Sequence, residues 1–143
     1  MIILGIDYGI RRMGLAISDK SSKIALPLET IEGDDEIFIG EIKRIVAERN
    51  VQKIVVGLPK HLSGDESEMS RRVKDFCKKL KILGIEIILF DERYTTVKAE
   101  EIVREMKKKP SRNKGKIDKI AASLILKNFL ESQENFYASD DST

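Results

Sequence analysis

Met1-Ile2-Ile3-Leu4-Gly5-Ile6-Asp7-Tyr8-Gly9 opens the chain as an apolar run that ends on an acid between two glycines. A run this apolar belongs in a sheet covered on both faces, where an isolated carboxylate is expensive. Gly5 and Gly9 remove side-chain bulk on either side of Asp7, which lets another backbone, a metal or a phosphate come close to the carboxylate. The plainer alternative is a strand end with a turn-forming Asp. The rest of the chain has to decide between the two.

Working outward, Met13 to Asp19 reads as a second strand and Ile24 to Ile31 as a third, with Pro27 at an edge or bulge. The links Gly9 to Arg12 and Lys20 to Lys23 are of hairpin length, so the opening third is expected to be an antiparallel meander. Gly33-Asp34-Asp35 offers an N-cap for a helix carrying Phe38, Ile42, Ile45 and Val46 and ending near Asn50. Lys53 to Gly57 is a short buried strand, and a loop with Pro59 and Gly64 leads from it. Asp65 with Glu68 forms a capping-box pattern for a second helix, whose stripe Met69, Val73, Phe76, Cys77, Leu80 and Leu83 ends at Gly84.

Ile85 to Phe90 reads as the fifth strand, an apolar one, and runs into Asp91-Glu92-Arg93. Thr95 or Thr96 can cap a helix with Ala99, Ile102, Val103 and Met106 on one face, and the basic stretch Lys107 to Lys116 breaks it before a last helix, Ile117 to Leu130. The order predicts an α/β fold: a mixed five-stranded sheet, its first three strands antiparallel and the later two parallel, with helices on both faces. Functional groups in such sheets collect beyond the carboxyl ends of the strands, where Asp7, Gly57 and Glu92 fall.

A chain of 143 residues suits one domain. Residues 1–131 are read as that domain and 132–143 as an acidic tail expected to be disordered. Cys77, the single cysteine, has no internal disulfide partner and is expected in the core; the single histidine, His61, is read as a surface residue. The N-terminus lacks a signal-peptide pattern and the apolar runs are too short for a bilayer, which points to a soluble, cytoplasmic protein with no membrane partner. The net charge of +2 conceals an asymmetry: residues 131–143 hold four acids and no Lys or Arg, which leaves residues 1–130 at +6. Such a body suits a polyanion.

Asp118 shares a helix face with Ala121, Ala122, Ile125 and Phe129, the core-facing side, although a first-turn acid interacting with the helix dipole is a bland alternative. The topology brings two strand ends and this helix start toward one point. At an effective dielectric of about 20, two carboxylates about 5 Å apart repel by roughly 3 kcal/mol, so something must neutralise them. A cluster of acids without His or Cys suits Mg²⁺ or Mn²⁺, as a pair of ions whose chemistry is metal-assisted phosphodiester hydrolysis. Six Lys or Arg in the ten residues from Lys107 to Lys116, with no acid among them, supply attraction for the substrate. If all six reached phosphates of one strand, log K against log salt would slope by about −4.

Four blocks together resemble the YqgF/RuvX family of bacterial proteins, which have an RNase H-like fold related to the Holliday junction resolvase RuvC. They are Gly5 to Gly9 continuing through Arg12, Gly14 and Ala16 to Ser18-Asp19; Val55-Val56-Gly57-Leu58-Pro59 with Gly64; Asp91 to Thr96; and Ile117-Asp118 with Ala121-Ala122. Ser70 departs from the family's usual Ala. The resemblance implies a catalytic, metal-holding trio of Asp7, Glu92 and Asp118, and it favours Glu92 over Asp91, a choice that strand alternation leaves open. Candidate nucleic-acid contacts are Arg11, Arg12, Lys60 and Arg93 with Lys107, Lys108, Lys109, Arg112, Lys114 and Lys116. The implied function is a nuclease in 5′-end maturation of 16S precursor ribosomal RNA, acting as a monomer or weak dimer and in contact with ribosomal particles. The alternatives are a resolvase of four-way DNA and a non-catalytic binding module for RNA or a transcription factor on the same fold. A second resemblance, of Asp7-Tyr8-Gly9 with Gly14 to the phosphate loop of sugar kinases and actin-like ATPases, fails on length, because those proteins close two such domains around ATP.

Overall fold

The computed structural model describes residues 1–59, 67–91 and 114–141. The strands β1 (Ile2–Asp7), β2 (Arg12–Ser18) and β3 (Ala25–Glu32) are followed by α1 (Asp35–Arg49), β4 (Val51–Leu58), α2 (Glu68–Leu80), a 3-10 turn (Lys81–Leu83), β5 (Glu86–Asp91) and α3 (Lys114–Asp141). One five-stranded sheet has the order β3-β2-β1-β4-β5. β1 pairs antiparallel with β2 and β2 with β3, while β4 joins β1 and β5 joins β4 in parallel. This is the mixed sheet expected from the order of elements. Pro27 sits on the edge strand β3, beside a register irregularity at Leu15/Ala16, so its missing N–H interrupts no central ladder.

Strand alternation sorts the core into two layers. Leu4, Ile6, Met13, Leu15, Ile54 and Val56 face α1 and α2, where they meet Phe38, Ile42, Phe76 and Leu80. Ile3, Ala16, Val55 and Phe90 face α3, where they meet Ala122, Ile125, Leu126 and Phe129. The helices α1 and α2 start where the local chemistry supplies a donor's partner. Asp34 accepts from the Ile37 N–H at 3.0 Å, and Asn50 closes α1 in the left-handed conformation. For α2 the cap is Ser67, not Asp65, which lies outside the described residues. Ser67 Oγ accepts from the Ser70 N–H at 3.0 Å, and the Ser70 hydroxyl donates to the Ser67 carbonyl at 3.0 Å, which gives the buried Ser70 its partner. The Thr95/Thr96 helix also falls outside the described residues.

α3 is longer than the pattern of apolar residues suggests. It begins three residues before Ile117 and its backbone stays helical to Asp141, through the stretch read as a tail. No Pro or Gly follows Gly115 to stop it, and Glu131, Gln133 and Glu134 are exposed, so polar residues continue the helix into solvent.

The course of α3 across the sheet depends on glycines. Asp7, Gly14 and Thr30 form one row across β1, β2 and β3. α3 begins above this row: the Thr30 hydroxyl donates to the Gly115 carbonyl, and a Cβ at Gly14 would run into the Asp118 carbonyl. The helix then passes Gly5, whose Cβ would meet Leu126 at 2.8 Å, and reaches β5, where Phe129 and Phe90 pack edge to face at 5.7 Å. Glycine at 14 lets helix backbone rest directly on strand backbone.

Three outcomes are expected. Gly14→Ala forces backbone apart and lowers stability by about 3 kcal/mol, the upper end of overpacking effects, read as a fall in the urea midpoint. Gly40→Ala, on the exposed side of α1 with open space around it, raises stability by about 1 kcal/mol. The third concerns Cys77, which packs in the α1/α2 layer and whose thiol burial pushes up to about 11. The folded state holds that proton more tightly than the unfolded state, so the contribution is complete below the ordinary thiol range, about pH 8.5, and is lost as pH rises toward 11. Cys77→Ala shallows the alkaline limb of stability against pH, measured by urea unfolding between pH 8 and 11.

Candidate active site

The carboxyl end of β1 supplies Asp7 to one face and Tyr8 to the other. By alternation with Ile3 and Gly5, Asp7 lies on the α3 side, half-buried at the end of its strand. Asp118 is in the second turn of α3, directly over Gly14, the residue that pairs with Asp7. The two acids therefore share one corner of one sheet face, although 111 positions separate them in the chain.

Asp118 is a buried acid, 8% exposed. Its Oδ2 accepts from Arg12 Nε at 2.8 Å. Arg12 stands first in β2 and belongs to the α3 face, two residues before Gly14, so the strand carries its guanidinium alongside the start of the helix. The bond uses one of the five guanidinium N–H donors, and the Arg12 side chain is 36% exposed. Arg12 was read from sequence only as a contact for nucleic acid; the structure shows it engaged with Asp118. Separation of 106 residues hid the pair, and only the topology brings it together.

The opposite face anchors the same strand end. Tyr8 donates its hydroxyl to Asp35 Oδ1 at 2.7 Å, and Lys79 donates to Asp35 Oδ2 at 2.8 Å. The Tyr8 ring lies 4.6 Å from Phe76 and packs edge to face on Phe38 at 6.1 Å. Burial, and then the hydrogen bond to Asp35, push the Tyr8 hydroxyl well above the ordinary phenol range. Burial raises the Asp35 carboxyl, but the hydrogen bonds from Lys79 and Tyr8 outweigh it and hold Asp35 below the usual carboxylate range. Sequence reading missed this three-residue link because its members come from β1, α1 and α2.

Of the other sequence candidates, Glu92, Lys60, Arg93, Lys107, Lys108, Lys109 and Arg112 lie outside the described residues. Arg11 is exposed in the bend before β2, and its carbonyl accepts from Gly33 N–H at 3.0 Å. Lys114 opens α3 and Lys116 is exposed in its first turn, on the same side of the sheet as Asp118. Among the described residues no three His, Cys, Asp or Glu side chains converge as a metal site. Asp7 and Asp118 contribute only hard carboxylate oxygens, a donor chemistry that fits Mg²⁺ or Mn²⁺ and disfavours softer ions. Among the same residues no helix is long and apolar enough to cross a membrane.

Removing Arg12 leaves Asp118 with a buried charge short of its donor. Arg12→Ala is expected to lower stability by about 2 kcal/mol. In a double-mutant cycle with Asp118→Ala, measured by urea unfolding, a coupling of about 1–2 kcal/mol is expected; a coupling near zero defeats the assignment.

Comparison with known proteins agrees with this architecture. The family model described as RuvX: Holliday junction resolvase matches residues 1–132. A protein of Chloroflexus aggregans named "Putative pre-16S rRNA nuclease" is 42% identical over 135 residues, 93% of this chain and 95% of its own length. One of the same name from Thermoanaerobacter pseudethanolicus is 45% identical over 139 residues, 94% of this chain and 99% of its own. Among solved structures, Thermus thermophilus RuvC bound to a Holliday junction superposes with a TM-score of 0.57 at 14% identity, over 94% of this chain and 96% of that one. At that identity the likeness speaks for the fold, the RNase H-like arrangement of RuvC. With a family match over residues 1–132 and relatives above 40% identity across nearly their whole length, the chain belongs to the RuvX family.

Proposed function

We propose that this chain is a metal-dependent nuclease that hydrolyses phosphodiester bonds in the 5′ maturation of 16S precursor ribosomal RNA. The observation that carries the reading is Asp118: a buried acid, seated over the residue that pairs with Asp7, in a chain whose relatives bear the name of a pre-16S rRNA nuclease. Asp7, Glu92 and Asp118 would hold two divalent ions, Mg²⁺ or Mn²⁺, which when bound supply Lewis acidity for hydrolysis of a phosphodiester.

The protein's own part is binding and placement. Gly14 seats α3 so that Asp118 faces the strand end, and the Tyr8 anchor to Asp35 holds the backbone that bears Asp7. Arg12 steadies the Asp118 carboxylate, and the outer part of its guanidinium is available to a substrate phosphate. Arg11, Lys60, Arg93 and the cations from Lys107 to Lys116 draw the polyanion toward an otherwise acidic corner. The reading extends to a cytoplasmic protein working on precursor RNA or ribosomal particles as a monomer or weak dimer.

The family description supports a second reading, cleavage of four-way DNA. A resolvase makes two symmetric cuts and works as a dimer with paired sites. Both substrates therefore belong in one experiment: 5′-extended 16S precursor RNA and a DNA junction, each with Mg²⁺, Mn²⁺ or EDTA, for the wild type, Asp7→Asn and Asp118→Asn. The expected outcome is cleavage of the RNA alone, abolished by EDTA and reduced at least a hundredfold in either variant. Cleavage that survives EDTA or the Asp7 substitution overturns the mechanism, and junction cleavage in place of RNA cleavage favours the second reading.

A further inference from the structure

Arg12 neighbours two acids on the α3 side of the sheet. One is Asp118, whose Oδ2 accepts from Arg12 Nε at 2.8 Å. The other is Glu32, which stands opposite Arg12 in the β2/β3 register, two residues beyond the Thr30 that bonds to the start of α3. Residues opposite one another on adjacent strands project to the same face, about 5 Å apart at Cβ. The surroundings of the two acids differ. Asp118 is buried and Glu32 is exposed on the edge strand, and the guanidinium is engaged with the buried one.

The bond to Arg12 is not what places Asp118. Main chain rests on main chain at Gly14, where a Cβ would run into the Asp118 carbonyl, so the backbone that carries the acid is seated by packing. What Arg12 adds is charge, because a buried carboxylate needs a cation beside it. The two partners are held unequally. The Arg12 side chain is 36% exposed and that of Asp118 11%, so the arginine reaches solvent by turning about its own side-chain bonds, whereas the acid leaves only with its helix. Asp118 belongs to the proposed metal-holding trio, and a divalent ion at its carboxylate meets the guanidinium as a like charge at close range. Ion and arginine therefore compete for the same group.

We propose that Arg12 is an exchangeable counter-ion: it holds Asp118 Oδ2 until a divalent ion binds there, and the displaced guanidinium then turns outward, toward the sheet edge at Glu32, to meet a phosphate of the substrate. The inference rests on the proposed reading of Asp118 as a metal-holding residue and adds a coupling to it. Metal and substrate favour each other's binding, because the ion releases the guanidinium fork for the phosphate, and the phosphate keeps the fork away from Asp118.

The exchange is read in the full chain, without nucleic acid and so without turnover. Mn²⁺ binding is titrated by the electron-spin resonance of the free ion for the wild type, Arg12→Gln, Arg11→Gln and Asp118→Asn. Arg12→Gln is expected to bind Mn²⁺ about tenfold more tightly, since a charged hydrogen bond no longer has to be broken. Arg11→Gln removes the same charge from the exposed bend one residue away and is expected to change the affinity by less than about threefold. The wild type gives the second readout, which does not depend on how well a variant folds. In ¹⁵N–¹H spectra of the arginine Nε groups, with the Arg12 signal identified by its loss in Arg12→Lys, saturating Mg²⁺ is expected to speed exchange of the Arg12 Nε proton with water by about tenfold.

Equal or weaker Mn²⁺ binding in Arg12→Gln overturns the proposal. So do a matching gain in Arg11→Gln, an absence of Mn²⁺ binding without nucleic acid, and an Arg12 proton that stays protected under saturating Mg²⁺. Binding that Asp118→Asn leaves intact defeats the metal reading of Asp118 and the exchange with it. Binding that Asp118→Asn abolishes and Arg12→Gln leaves unchanged keeps the metal reading and removes only the exchange.

Discussion

Backbone contact between α3 and β2 at Gly14 is the constraint on which the candidate site depends. A helix usually stands on a sheet through interleaved side chains, at about 10 Å between layers. Here the absence of a side chain at Gly14 brings the Asp118 carbonyl down to the strand, and Gly5 does the same for the Leu126 turn. An acid carried so low is buried, and burial without a partner is costly. Arg12 answers that cost from the same strand two residues earlier. Glycine, arginine and aspartate are therefore one arrangement: the first permits the approach, the third is buried by it, and the second makes the burial tolerable.

The opposite face of the sheet has a different task. Asp7 and Tyr8 are neighbours whose side chains point to opposite layers, so the strand end that turns Asp7 toward the α3 side is anchored through Tyr8 on the other. The anchor runs through Asp35, itself held by Lys79, and through the rings of Phe38 and Phe76. The pairing of a candidate site position with an anchored one follows from the two-residue period of a strand.

Much of this was legible in the sequence, for identifiable reasons. Periodicity gave the buried runs of β1 and β4 and the apolar stripe that buries Asp118 beside Ala121 and Ala122, and local sequence gave the α1 cap; β5, read as equally apolar, is the edge strand and leaves Leu89 exposed. Connection lengths gave the antiparallel start and the parallel remainder. The pairing of Asp7 with Gly14, and the seat of the Asp118 backbone on Gly14, bring these two sequence candidates toward one corner of the sheet. What stayed hidden depends on distance in sequence: nothing local in Arg12 marks it as the partner of Asp118, nor Tyr8 as that of Asp35. Ser67 was passed over as a cap because Asp65 and Glu68 make a stronger written pattern than Ser67 and Ser70, though the latter pair makes the hydrogen bonds. The extent of α3 was underestimated because apolar periodicity ends at Leu130 while helix propensity does not.

The Arg12–Asp118 pair also bears on the order of events during synthesis. Its members are 106 residues apart, and the helix that carries the acid is the last element of the described chain. The β1–β2–β3 meander joins near neighbours and can form early, but β1 gains its other partner only with β4, and the α3 layer closes last. A nascent chain that has not yet extended past α3 can hold Asp7 on its strand and still lack the corner that Asp118 completes. A chain translated only through its first hundred residues therefore lacks both the Arg12–Asp118 pair and the α3 layer that covers the Asp7 side of the sheet.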